Sequence, residues 1–142
     1  MEFEIIERLP TSKEYNQLRK MVGWGVYELE VIEKSLPKSL YCLCATAEDK
    51  VVGMARVIGD DGLVFYIQDV IVRPEYQRKG VGTKMMERIM AYIQGQANHN
   101  TFIGLMASKG KEPFYERYGF LSRPNENYGS GMTIYWKGSE NS

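Results

Sequence analysis

At Gly80 the chain changes its period. Residues 63–72 read as a buried-type strand, whereas beyond Gly80 the residues Val81, Met85, Ile89 and Ile93 recur every four positions with Met86 and Met90 beside them. That second spacing belongs to an amphipathic helix with one apolar face. A strand that passes through a short loop into such a helix commits the chain to a mixed α/β architecture, in which the helix covers a sheet. Gly95 is expected to stop the helix.

The rest of the chain supplies the other elements. Phe3 and Ile5 alternate with charged residues before Pro10, as a short first strand does. Thr11 or Ser12 can cap a helix with Glu14 in its first turn and Leu18, Met21 and Val22 as its stripe, broken by Gly23-Trp24-Gly25. A second helix is predicted over residues 26–35, ending before Pro37. Residues 40–46, 50–58 and 63–72, separated by Ala47-Glu48-Asp49 and Asp60-Asp61-Gly62, read as three consecutive antiparallel strands. Residues 101–106 read as a strand, 111–118 as a short helix, and 120–122 and 132–136 as two last strands. A chain of 142 residues with no repeat or linker is expected to be one domain, with its core over about residues 3–136.

Charge and cysteine usage exclude several classes of function. Eighteen basic residues balance eighteen acidic ones, so no global field collects nucleic acid or an anionic membrane, and any anion site is local. Glu2 and Glu4 stand where a signal peptide carries positive charge, and charged residues interrupt every apolar stretch, so a cytosolic location without membrane insertion is expected. Cys42 and Cys44 are two apart in a strand, which puts them on one face as free thiols. With His99 as the sole histidine, no metal site is expected.

The stretch from Val70 to Lys84 carries the chemistry. A strand ends at Pro74, a short loop brings Arg78 and Lys79, and Gly80 and Gly82 open the helix. The first turn of a helix has main-chain N–H groups without helical partners, the dipole there favours negative charge, and glycine lets a bulky diphosphate approach. A nucleotide-binding Walker loop fits worse, since Gly82 is followed by Thr83-Lys84 with only Val81 between the glycines. A dinucleotide fingerprint fails because Met85 stands where its third glycine belongs.

Gln77-Arg78-Lys79-Gly80-Val81-Gly82 resembles the Gln/Arg-x-x-Gly-x-Gly/Ala signature of the GNAT superfamily of acyl-CoA-dependent N-acyltransferases, and Pro113-Phe114-Tyr115-Glu116-Arg117-Tyr118-Gly119-Phe120 resembles its second signature. The resemblance implies a mostly antiparallel central sheet of six to seven strands flanked by about four helices, and transfer of acetyl from acetyl-CoA to the primary amine of a small molecule. It assigns the pantetheine arm to the backbone of Val70, Ile71 and Val72, and the diphosphate to Gln77, Arg78, Lys79, Gly80, Val81, Gly82 and Thr83. It also counts Ser108, near the place where many relatives use an asparagine, together with Phe114 and Tyr115 among the cofactor-binding residues. Tyr115 matches the family's proton donor, and the N–H near Val70 its oxyanion donor. For the base, Tyr66, Gln68 and Asp69 are the positions to weigh, although relatives often carry glutamate or histidine at the first two. Trp24, Tyr27, Glu28 and Tyr128 are expected at the acceptor, where an aromatic wall with an acid suits a cationic amine. A homodimer follows from family habit. The rival readings are a protein or peptide N-acetyltransferase and a non-catalytic acyl-CoA-binding domain.

Overall fold

The computed structural model describes residues 2–136, so both ends of the expected 1–142 domain lie outside the described residues. The chain divides into two compact units, one through Met106 and one from Ala107 onward. In the first unit the order is β1 (Glu4–Glu7), α1 (Ser12–Met21), α2 (Leu29–Ser35), β2 (Tyr41–Ala47), β3 (Lys50–Gly59), β4 (Val64–Val72), α3 (Val81–Gln96) and β5 (Phe102–Leu105). The strands sit side by side in chain order. All neighbours are antiparallel except β4 and β5, because α3 carries the chain back before β5 begins.

Each face of the sheet is covered by helix. Val81, Met85, Met86, Ile89 and Ile93 of α3 are buried. The helix lies so close to β3 that a Cβ on Gly53 would stand 2.9 Å from the Ile71 carbonyl oxygen and 3.4 Å from the side chains of Met85 and Val81. In a second cluster Tyr15 and Leu18 of α1 and Ile32 of α2 pack with Cys42, Cys44, Met54 and Ile71 of the strands. Burying a side chain such as Leu18 is worth roughly 1.5–3 kcal/mol, so these two apolar layers carry the unit's stability. Both cysteines are free thiols in the second layer, and burial pushes Cys42 up to about 12 and Cys44 up to about 11.

Several expected boundaries move for identifiable reasons. Thr11 is the cap of α1, its hydroxyl accepting from the Glu14 N–H while Glu14 accepts from the Thr11 N–H. The second helix starts at Leu29 rather than at residue 26. Asn16 takes both main-chain groups of Tyr27, accepting from its N–H at 3.0 Å and donating to its carbonyl at 2.8 Å, which holds that segment outside the helix. Gly95 does not stop α3, which runs to Gln96, since one glycine in the last turn costs only about 1 kcal/mol.

Among its described residues the second unit holds α4 (Glu112–Glu116) and otherwise irregular chain. Among the described residues the sheet therefore has five strands, not six to seven: neither 120–122 nor 132–136 forms a strand. Met132, Ile134, Tyr135 and Trp136 are each more than 80% exposed. Their sequence has strand character, yet such a segment becomes a strand only where another backbone pairs with it.

Candidate active site

The middle of β4 breaks the pleat. Its pairing with β3 slips between Met54 and Arg56, and Asp69 takes φ +58°, a left-handed conformation uncommon outside glycine and asparagine. Beyond this bulge the Arg73 N–H donates to the Val52 carbonyl at 2.8 Å. Main-chain groups alternate sides along a strand, so Ile71 serves β3 opposite Met54, while Val70 and Val72 turn theirs to the other edge. There β5 keeps company only as far as the Ile67–Leu105 pair. Among the described residues, no strand of the sheet lies along that edge from Gln68 onward. Of the three residues expected to offer their backbone to an extended ligand, Val70 presents both groups outward, Val72 presents its N–H while its carbonyl accepts from the Gln77 side-chain amide, and Ile71 faces β3.

The loop after β4 is tied down by its own side chains. Gln77 donates its amide to the Val72 carbonyl at 2.9 Å, and Tyr76 donates its hydroxyl to Glu48 at 3.2 Å. Arg78 at φ +64° and Gly80 at φ +90° curl the backbone into α3. Alternating conformations of this kind make successive N–H groups converge on an anion. Gly80 has no side chain with which to cap the helix, and Lys84 makes its first internal bond, to the Gly80 carbonyl at 3.0 Å. The first-turn N–H groups of Val81 and Gly82 thus begin the helix without a side-chain cap, with Arg78 and Lys79 exposed beside them and open space around Gly80. These residues fit a diphosphate: donors, two cations and room for a close approach. Thr83 follows in the same turn.

Asp69 is engaged elsewhere. Its carboxylate is fully buried, accepts at Oδ2 from the Tyr15 hydroxyl and from Arg56 Nε, both at 2.8 Å, and has Arg19 3.8 Å from Oδ1. Burial, followed by the charge of Asp69 and the bond to it, raises the Tyr15 phenol well above its ordinary value. Tyr66 and Gln68 lie on the same strand, in register with Ile58 and Arg56. The ring faces expected at the acceptor also have an occupant. The Arg19 guanidinium stands 4.0 Å from the Tyr27 centroid and 5.3 Å from that of Trp24, held by a 2.6 Å bond to the Gly25 carbonyl. Glu28 precedes α2 with its side chain exposed.

In the second unit Tyr115 is buried on α4, edge-on to Phe114 and Phe120. Burial pushes its phenol up to about 12. Ser108 is exposed in the turn before α4 and accepts from the Lys111 N–H through its carbonyl. Tyr128 closes a small loop with Asn125 and lies 5.2 Å under the Arg123 guanidinium.

Sequence reasoning missed Tyr15, Arg19 and Arg56. The signal for the two arginines was their placement, one within the apolar stripe of α1 and one in the middle of a buried strand.

The sequence model of the acetyltransferase (GNAT) domain matches residues 14–135. The chain belongs to the GNAT family. A solved structure from meticillin-resistant Staphylococcus aureus, described as a probable acetyltransferase, is 33% identical with a TM-score of 0.88, covering 95% of this chain and all of the other. An uncharacterised N-acetyltransferase of Prochlorococcus marinus is 28% identical over 80% of this chain, and serotonin N-acetyltransferase 2 of rice 29% identical over 84%. This chain spans 64% and 60% of the length of those two relatives. In this chain the first signature, Gln77 to Gly82, falls on the loop after β4 and the first turn of α3.

Proposed function

We propose that this GNAT chain transfers acetyl from acetyl-CoA to the primary amine of a small molecule. The observation that carries the reading is a line of outward main-chain groups, from Val70 and the Val72 N–H on the edge of β4 beyond its pairing with β5 to the uncapped start of α3 at Gly80. In this reading the strand edge holds an extended amide chain, and Val81 and Gly82 with Arg78 and Lys79 hold a diphosphate. Acetyl-CoA supplies a thioester whose carbonyl accepts the attack of a neutral amine; the C–N bond forms and the C–S bond breaks. The thiolate takes a proton from Tyr115, and the proton shed by the amine passes to solvent water, from which Tyr115 is reprotonated. The Val70 N–H is the donor for the charge that develops on that carbonyl oxygen.

Tyr115 is the proposed acid. Raised to about 12, it stays protonated throughout the neutral range. A phenol so weakly acidic matches a leaving thiolate that is itself shielded from water, since burial disfavours the charged form of both groups. An arylalkylamine is the first acceptor to test, because the rice relative is named for serotonin. A non-catalytic acyl-CoA binder is the second reading, favoured by the two arginines that engage Asp69, the sole acid in β4.

The test is CoA release, read with a thiol reagent, from acetyl-CoA and a panel of alkylamines and arylalkylamines. Amine-dependent release supports the proposal. Acetyl-CoA binding without release from any amine supports the second reading, and absence of binding removes both.

A further inference from the structure

A buried carboxylate is costly to keep, and Asp69 keeps one with an oxygen unsatisfied. Its side chain has no exposure to solvent, and Oδ1 has no hydrogen-bond partner, with the Arg19 guanidinium 3.8 Å from it. The left-handed backbone at φ +58° does not demand this, since glycine or asparagine takes that conformation without burying a charge. What the carboxylate adds is a grip. Oδ2 is held at 2.8 Å by Tyr15 from α1 and at 2.8 Å by Arg56 from β3, and Arg56 is itself steadied by Ser39 at 3.2 Å. Two elements thus converge on the single residue that makes the bulge, and the next residue, Val70, is the first whose main-chain groups face the unpaired edge.

We infer that Asp69 is a positioning residue: held by Tyr15 and Arg56, it locks the bulge that aims the Val70 N–H at the thioester carbonyl. The inference rests on the proposed acetyl transfer and assigns to Asp69 a role without proton transfer. Substrate and acyl group touch Val70, and Asp69 acts through the backbone between them. Loosening the grip lets the N–H wander, and a donor misplaced by about 1 Å loses much of its effect on a developing oxyanion.

The experiment compares wild type with Asp69→Gly, which keeps the backbone preference and discards the grip, and Asp69→Asn, whose amide oxygen still accepts from Tyr15 and Arg56. The first readout needs no acceptor: the carbonyl stretch of acetyl-CoA labelled with carbon-13 at the carbonyl, bound to each protein. The expected result is a stretch lowered in wild type and Asp69→Asn and returned toward the solution value in Asp69→Gly, with acetyl-CoA affinity unchanged within about twofold. With an accepted amine, kcat falls roughly 10- to 100-fold in Asp69→Gly and within a few-fold in Asp69→Asn, while KM for acetyl-CoA holds. If Asp69→Gly does not fold, Tyr15→Phe removes one of the two bonds and shows the same shift in smaller measure. An unshifted carbonyl in wild type, or equal shifts in wild type and Asp69→Gly, overturns the inference. Absence of acetyl-CoA binding by wild type instead overturns the proposed function on which it stands.

Discussion

Replacing Gly80 by alanine adds one methyl group before α3, and two effects of that methyl can be separated. A Cβ there meets nothing within 4 Å, so the folded protein suffers no clash. What remains is the backbone: φ is +90°, and an L-residue in the left-handed region costs about 1–2 kcal/mol. With an unfolding entropy of about 2.1 cal/mol/K per residue, that cost lowers the melting temperature of a chain this size by about 3–7 °C. Gly23 is a matched control, with φ +83° and equally open surroundings at the end of α1. Gly23→Ala and Gly80→Ala should therefore lose similar stability in thermal unfolding. They should differ in calorimetric titration with acetyl-CoA. Gly80→Ala puts its methyl where the diphosphate is to approach the backbone and should weaken binding at least tenfold, or about 1.4 kcal/mol, whereas Gly23→Ala should bind as wild type does. Equal affinity of the two variants would refute the placement of the diphosphate at the start of α3.

Three further outcomes follow. Tyr115→Phe should lower turnover roughly 100-fold or more while acetyl-CoA affinity stays within about twofold, and unchanged turnover would remove Tyr115 as the acid. Stability should fall as pH rises from about 9 to about 12: the unfolded chain releases its cysteine and tyrosine protons near 9 and 10, while the folded chain holds those of Cys42, Cys44 and Tyr115 to about 11–12 and so binds more protons in that window. Denaturant titrations at pH 8 and pH 10.5 check this, and equal midpoints would contradict the burial of these groups. Native protein should leave both thiols unlabelled by a thiol reagent until denaturant is added, because Cys42 and Cys44 are 5% and 0% exposed; rapid native labelling would contradict the packing of α1 over β2.

Much of the first unit could be read from the residues alone because each element carries a local signature. The four-residue recurrence from Val81 to Ile93, the Thr11–Glu14 capping pair and the three strand runs before Arg73 all say which backbone they prefer. The bulge carried no such mark. Asp69 is a polar residue in an apolar strand, which fits a satisfied core group as well as a catalytic acid, and its positive φ arises from the slip against β3. The engagement of Trp24 and Tyr27 by Arg19 was hidden for a related reason, since rings that suit a cationic ligand suit a neighbouring guanidinium equally. Residues 132–136 misled in the opposite direction. Their alternating apolar and aromatic character describes a strand, but strand formation depends on a partner backbone that composition does not reveal.

The central claim is that main-chain donors at the start of α3 and along the edge of β4 hold acetyl-CoA. Amide chemical shifts of the nitrogen-15-labelled chain, followed as CoA is added, test it most directly. Large, saturable shifts at Gly80, Val81, Gly82, Val70 and Val72, with β1 unmoved, are the predicted result. Saturation of the protein with CoA while those five amides stay in place would contradict it.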